Sequence, residues 1–246
     1  IVANRLPANV SVKPTALGLA IDPQLIRENC RAICRKAAES GTFVRIDMED
    51  SPFTESTLRL ALELKEEFPN VGVVVQAYMR RTLADMDRLV AARMNVRICK
   101  GIYVEPRELA YKDRQVVIEN YAAIVEKHLS AGCYAGIATH DEACVQRALA
   151  TIDRLKLSPD RYEFQMLLGV DPLKDDPEGR APPSGLRSLR AGLVRLLAPA
   201  PQGESVDRPA HREDDPGARA RSVLTVPPPF LADSVDAGRG GDHHFP

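Results

Sequence analysis

A short run of β-branched residues, then an amphipathic helical stretch, then another such run: this alternation repeats through residues 1–170 and constrains the chain more than any other feature. The runs fall at residues 9–13 (NVSVK), 43–47 (FVRID), 71–76 (VGVVVQ), 96–100 (VRICK), 134–140 (YAGIATH) and 164–168 (FQMLL). Each is nearly continuous in apolar residues, as strands covered on both faces are. Helical stretches such as residues 55–68 and 83–92 lie between them, and Ser51-Pro52 and Asn70-Val71-Gly72 mark boundaries. Repeated strand–helix units predict a parallel sheet with right-handed crossovers. Two α/β architectures satisfy that, a (β/α)8 TIM-type barrel and an open doubly wound sheet. No strand is followed by a G-x-G-x-x-G turn, which counts against the dinucleotide-binding open sheet and favours the barrel.

In a barrel the active site lies at the C-terminal ends of the strands. Here those ends carry polar groups in series: Lys13; Asp47 with Glu49 and Asp50; Gln76 with Tyr78; Arg97 with Lys100; Thr139 with His140; and Gln165. A charged group directly behind apolar residues is costly to place without a ligand or partner. One Asp ending a strand is ordinarily a helix N-cap, but six consecutive strands ending in polar groups point to a site. Lys13, Arg97 and Lys100, with Asp47 opposing them, suit an anionic small molecule or a phosphate-bearing cofactor. Gln76 and Gln165 can donate and accept together, which fits a heterocycle with alternating N–H and C=O groups. Gly101 lets a ligand approach the backbone beside Lys100. No set of residues has metal-ligand spacing, so no metal is expected.

The net charge of −1 argues against a dedicated nucleic-acid binder. The five cysteines, Cys30, Cys34, Cys99, Cys133 and Cys144, form no C-x-x-C pair and read as reduced thiols, mostly core filler. No apolar run reaches a membrane-spanning length and no signal peptide is visible. The chain starts at Ile1 rather than Met, which reads as a fragment. After about residue 170 the composition turns to Pro, Arg, Gly and Ala, as in residues 226–230 (VPPPF), and such a segment reads as a disordered tail.

Six strings resemble the proline dehydrogenase family, in family order: VSVKPTALGL at residues 10–19, RIDMED at 45–50, VQAYMRRT at 75–82, RICKGIYVEP at 97–106, ATHD at 138–141 and YEFQMLLG at 162–169. The likeness is nearest to the monofunctional bacterial members. It implies a (β/α)8 barrel with non-covalent FAD, of which strands two to seven are in frame here. It further implies oxidation of L-proline to Δ1-pyrroline-5-carboxylate, with electrons passed to a quinone from a cytoplasmic protein in peripheral contact with the inner face of the membrane. By the same resemblance Lys13 meets the proline carboxylate, Asp47 sits near the substrate amine, and Arg97 lies against the flavin. Met48, Gln76, Lys100, Gly101, Ile102, Thr139 and His140 contact FAD, with Gln165 a further candidate. A Schiff-base aldolase barrel using Lys13 or Lys100 is the alternative enzyme chemistry.

One family element is missing. After the last strand the family carries a helix with Tyr-x-x-Arg-Arg-x-x-Glu-Asn, whose arginine pair clamps the proline carboxylate. Nothing of that form occurs in this chain. Residues 183–205 (PSGLRSLRAGLVRLLAPAPQGES), translated one base out of frame with synonymous codons chosen freely, can however spell LRVYVPYGRDWYAYSLRRLKENP. That text contains both the missing strand and the missing motif. The expectation is a frameshift after about Val170, which makes 1–170 a partial barrel and 171–246 an out-of-frame tail. An inactive remnant without the arginine helix is the alternative.

Overall fold

The computed structural model describes residues 9–167 and the backbone of residues 194–197. Seven strands, β1 (Val10–Val12), β2 (Val44–Ile46), β3 (Val71–Gln76), β4 (Asn95–Cys99), β5 (Ala135–Ala138), β6 (Tyr162–Leu167) and β7 (Val194–Leu197), form one sheet in sequence order. Every neighbouring pair is parallel. Helices α1 (Pro23–Glu39), α2 (Ser51–Glu67), α3 (Thr82–Ala91), α4 (Arg114–Ser130) and α5 (Glu142–Leu155) fill the connections between β1 and β6. Sequential parallel strands joined by helices are the architecture of a TIM-type barrel rather than of a doubly wound sheet, whose strand order reverses. Strand β7 falls within the segment expected to be tail; the rest of that segment lies outside the described residues.

Local chemistry sets the helix boundaries. Asp22, Asp113 and Asp141 each accept a backbone N–H of the first turn of α1, α4 and α5, and Pro stands in the first turn of α1 and α2. Helix α1 turns Ile26, Cys30, Cys34 and Ala37 inward at helical spacing, and α3 turns Met86 and Leu89. Four of the five cysteines are buried and Cys99 is half-buried, in keeping with their reading as packing residues.

The strands are not apolar on both faces. Val44, Ile46, Val71, Val73, Val75, Val96, Ile98, Ala135, Ile137 and Phe164 are buried in the hydrophobic core. The residues that alternate with them include Ser11, Arg45, Gly72, Asn95, Arg97, Gly136, Glu163 and Gln165. Successive strand residues point to opposite faces, so the second face of the sheet is polar and internally bonded. A run such as VRICK holds both characters because the sequence shows the strand edge-on.

Candidate active site

All six strands from β1 to β6 end on one edge of the sheet, and the residues expected there sort into three groups. The first lies on the polar face. Parallel register sets Ser11 beside Arg45, Arg97 beside Gly136, and Gly136 beside Glu163. Arg97 donates from Nε to Oε1 of Gln165 (2.6 Å) and from Nη1 to Oγ of Ser11 and Oδ1 of Asp47 (3.2 Å each). Ser11 donates in turn to the same Asp47 oxygen (3.2 Å). Beneath them Gln165 donates from Nε2 to Glu163 (2.5 Å). Arg45, 2% exposed, donates to the carbonyl oxygen (2.9 Å) and side-chain oxygen (2.7 Å) of Asn95.

Two glycines make this layer possible. A Cβ on Gly136 would stand 2.8 Å from Nε2 of Gln165, and one on Gly72 would stand 2.7 Å from Nη1 of Arg45. Each missing side chain is the space through which a long polar side chain crosses the sheet. Burial raises the Asp47 pKa, against the opposing charges of Arg97, Arg45 and Lys13 and the bond from Ser11. Burial, then the neighbouring charge of Arg97, lowers Arg45 to about 9. Lys13 is exposed at the edge of this group.

The second group gathers at the N-terminus of α5. Lys100 Nζ reaches Asp141 Oδ2 at 2.9 Å, and Arg114 reaches the same oxygen at 2.9 Å. Buried Thr139 accepts the Asp141 N–H at 3.0 Å. Burial alone would raise the Asp141 carboxyl, but the bond and charge of Lys100, then the charge of Arg114, hold it below the ordinary range. His140 Nε2 lies 3.1 Å from the Leu167 N–H and 3.4 Å from the Leu167 carbonyl oxygen, which ties the ring to the end of β6. The single cationic cluster expected from Lys13, Arg97 and Lys100 is thus divided: Arg97 pairs with Asp47, and Lys100 with Asp141.

The third group is the rim that joins the loops. Glu49 accepts from the backbone N–H and hydroxyl of Thr15 (2.8 and 2.6 Å), while its carbonyl accepts from Nε2 of buried Gln76 (2.9 Å). The Gln76 carboxamide oxygen carries no hydrogen bond among the described residues. Buried Met48 stands between Asp47 and Glu49. Glu105, from the loop after β4, accepts the Ser51 N–H at 2.6 Å and caps α2 from 54 positions away. Gly101 has φ +114°, and a Cβ there would run into the Tyr78 ring. Tyr78 thus packs on the side of Gly101 where a side chain would project, and only glycine fits there. Beyond it Ile102 and Val104 are 84% and 100% exposed, an apolar lip on the strand-end side.

The structure thus brings Asp47 and Arg97 into contact, with Gln165 behind them. It holds Lys100, Thr139 and His140 at one helix N-terminus, and Met48, Gln76, Gly101 and Ile102 along the rim. Ser11, Arg45, Glu163, Asp141 and Glu105 were missing from the candidates. Period-two alternation puts Ser11, Arg45 and Glu163 on one face but does not mark them as buried partners. Asp141 carries a local signal, an Asp at the first turn of a helix, whereas nothing local marks Glu105.

The profile of the family described as proline dehydrogenase matches residues 3–175. Curated relatives include proline dehydrogenase 2 of Bacillus subtilis, 36% identical over 170 residues, and proline dehydrogenase of Deinococcus radiodurans, 39% identical over 166 residues. These alignments cover 69% and 65% of this chain and 56% and 54% of the relatives, so the chain spans just over half their length. Among solved structures, proline utilization A from Bdellovibrio bacteriovorus, inactivated by N-propargylglycine, superposes with a TM-score of 0.67 at 25% identity, over 79% of this chain and 22% of that one.

Proposed function

The chain belongs to the proline dehydrogenase family, and from that premise we propose that it forms the flavin-binding part of an enzyme oxidising L-proline to Δ1-pyrroline-5-carboxylate, with the electrons passed to a quinone. The observation that carries this reading is the Arg97–Asp47 pair at the strand ends, a fixed cation and a part-open carboxylate on one wall, 11% and 26% exposed.

The residues present fit FAD. The Gln76 carboxamide oxygen offers an acceptor to a heterocycle, and Ile102 and Val104 offer apolar surface. Lys100, Thr139 and His140 surround a helix N-terminus, a setting suited to phosphate. Met48 and Gly101 complete the proposed contact set. The chemistry FAD supplies when bound is acceptance of a hydride at N5 from the proline ring carbon beside the nitrogen.

The chain's own residues do the rest. Lys13 neutralises the substrate carboxylate. Asp47, its proton affinity raised by burial, holds the amine and takes the proton that leaves as the C=N bond forms. Arg97 offsets the negative charge that arrives with the hydride. Among the described residues no helix is long and apolar enough to cross a membrane, and we place the quinone exchange at peripheral contact with the membrane's inner face.

We further propose that the reading frame changes shortly after Val170. The family match ends at residue 175, and the one-base shift of residues 183–205 restores the arginine motif, which together support the reading. The test compares L-proline oxidation by this chain with that of the product of a frame-restored gene. The restored product is expected to turn over L-proline. The present chain should need at least about a hundredfold more substrate, the scale of losing buried arginine contacts to a carboxylate. Equal KM values would overturn the frame proposal. A restored product that binds no FAD and oxidises no proline would overturn the activity.

A further inference from the structure

Arg97 has five N–H donors in a rigid fork. Three contacts hold two of its nitrogens: Nε faces Gln165, and Nη1 faces Ser11 and Asp47. Its Nη2 carries no hydrogen bond among the described residues and is the edge presented to a ligand. Which edge that is depends on what grips Nε. We propose that Gln165, oriented by Glu163 and admitted by Gly136, is the positioning residue that fixes the Arg97 guanidinium in the site.

A carboxamide can be turned either way round, and only one way serves here. Were the Gln165 NH2 turned toward Arg97, two donors would face each other. Glu163, buried and near the charge of Arg45, accepts from Nε2 at 2.5 Å and so turns Oε1 toward Arg97. The Gln165 side chain reaches across only because Gly136 has no Cβ: an added one would stand 2.8 Å from Nε2 and 3.1 Å from Cδ. The chain Arg45, Glu163, Gln165, Arg97, Asp47 then alternates in sign except at the neutral amide, which passes the orientation on without adding a charge. Gln165, 2% exposed, thereby acts through Arg97 instead of touching the cofactor.

The readout is Asp47, whose carboxyl Arg97 pulls down against burial. Asp47 also faces Ser11, Lys13, Arg45, Cys99 and Tyr103, none of which the variants alter. The 246-residue chain, labelled with 13C at the Asp carboxyls, is titrated by NMR as the parent, Gln165→Met, Glu163→Gln and Gly136→Ala. Gln165→Met keeps the side-chain volume, so packing is little disturbed, and Gly136→Ala displaces Gln165 without removing it. In all three variants the Asp47 midpoint should move to higher pH as Arg97 swings away. The cofactor arm of the test rests on the FAD reading above: Gln165→Met should weaken FAD binding about tenfold, the scale of one charge-assisted hydrogen bond. An Asp47 titration unchanged in Gln165→Met overturns the proposal whatever FAD does, and a fall in FAD affinity alone would make Gln165 a direct cofactor contact. If the parent takes up no FAD while Asp47 still shifts, the positioning role stands and the cofactor reading falls.

Discussion

Arg45 and Asp47 sit two residues apart on one strand and illustrate opposite costs of burying charge. Arg45 is enclosed and satisfies part of its fork on Asn95. Replacing it with Met removes its donors from the Asn95 oxygens and its charge from beside Glu163, so Arg45→Met should cost about 3–5 kcal/mol, the range for removing one member of a buried charge set, as read by urea unfolding. Asp47 is protonated more readily in the folded chain than in the unfolded one. Its ionisation therefore opposes folding. The penalty is absent below the ordinary carboxylate range and complete once pH has passed the raised value. Thermal unfolding of Asp47→Asn across pH should show the variant gaining on the parent as pH rises from about 4 to neutrality, where the buried carboxylate is charged. A gain that shrinks with rising pH would contradict this. The polar strand ends were legible because each follows an apolar run. Ser11, Arg45 and Glu163 were not, because a polar residue inside a strand looks the same whether it meets water or a buried partner.

At the scale of elements, α1, α4 and α5 start on a local capping bond, from Asp22, Asp113 and Asp141. Helix α2 differs. Asp50 makes no side-chain bond to it, and Glu105 supplies the cap from the loop after β4. That bond ties the loop bearing Gly101 and Ile102 to the loop bearing Asp47 and Met48. Glu105→Ala should cost about 1 kcal/mol, as lost caps do, with faster amide exchange at Ser51 and through residues 100–112. Exchange confined to Ser51 would show that the two loops are not coupled. Asp141→Ala removes the α5 cap and also frees Lys100 and Arg114. It should lower stability by about 1 kcal/mol while leaving FAD affinity unchanged or improved, since two cations are released toward the phosphates.

At the scale of the whole molecule, the parallel sheet followed from the repeated strand–helix pattern, and its sequential order from the lack of a G-x-G-x-x-G turn, which favoured the barrel over the doubly wound sheet. The division of cations between Asp47 and Asp141 did not, since it depends on which neighbouring strand each side chain leans toward. Equilibrium titration of the 246-residue chain with FAD tests most directly whether the strand-end edge of β1–β6 is a flavin site. The expected result is saturable, one-to-one binding with a perturbed flavin visible band, weakened in Gln76→Leu and Thr139→Val. A chain that is folded by circular dichroism yet leaves the FAD spectrum unchanged at every concentration would contradict it.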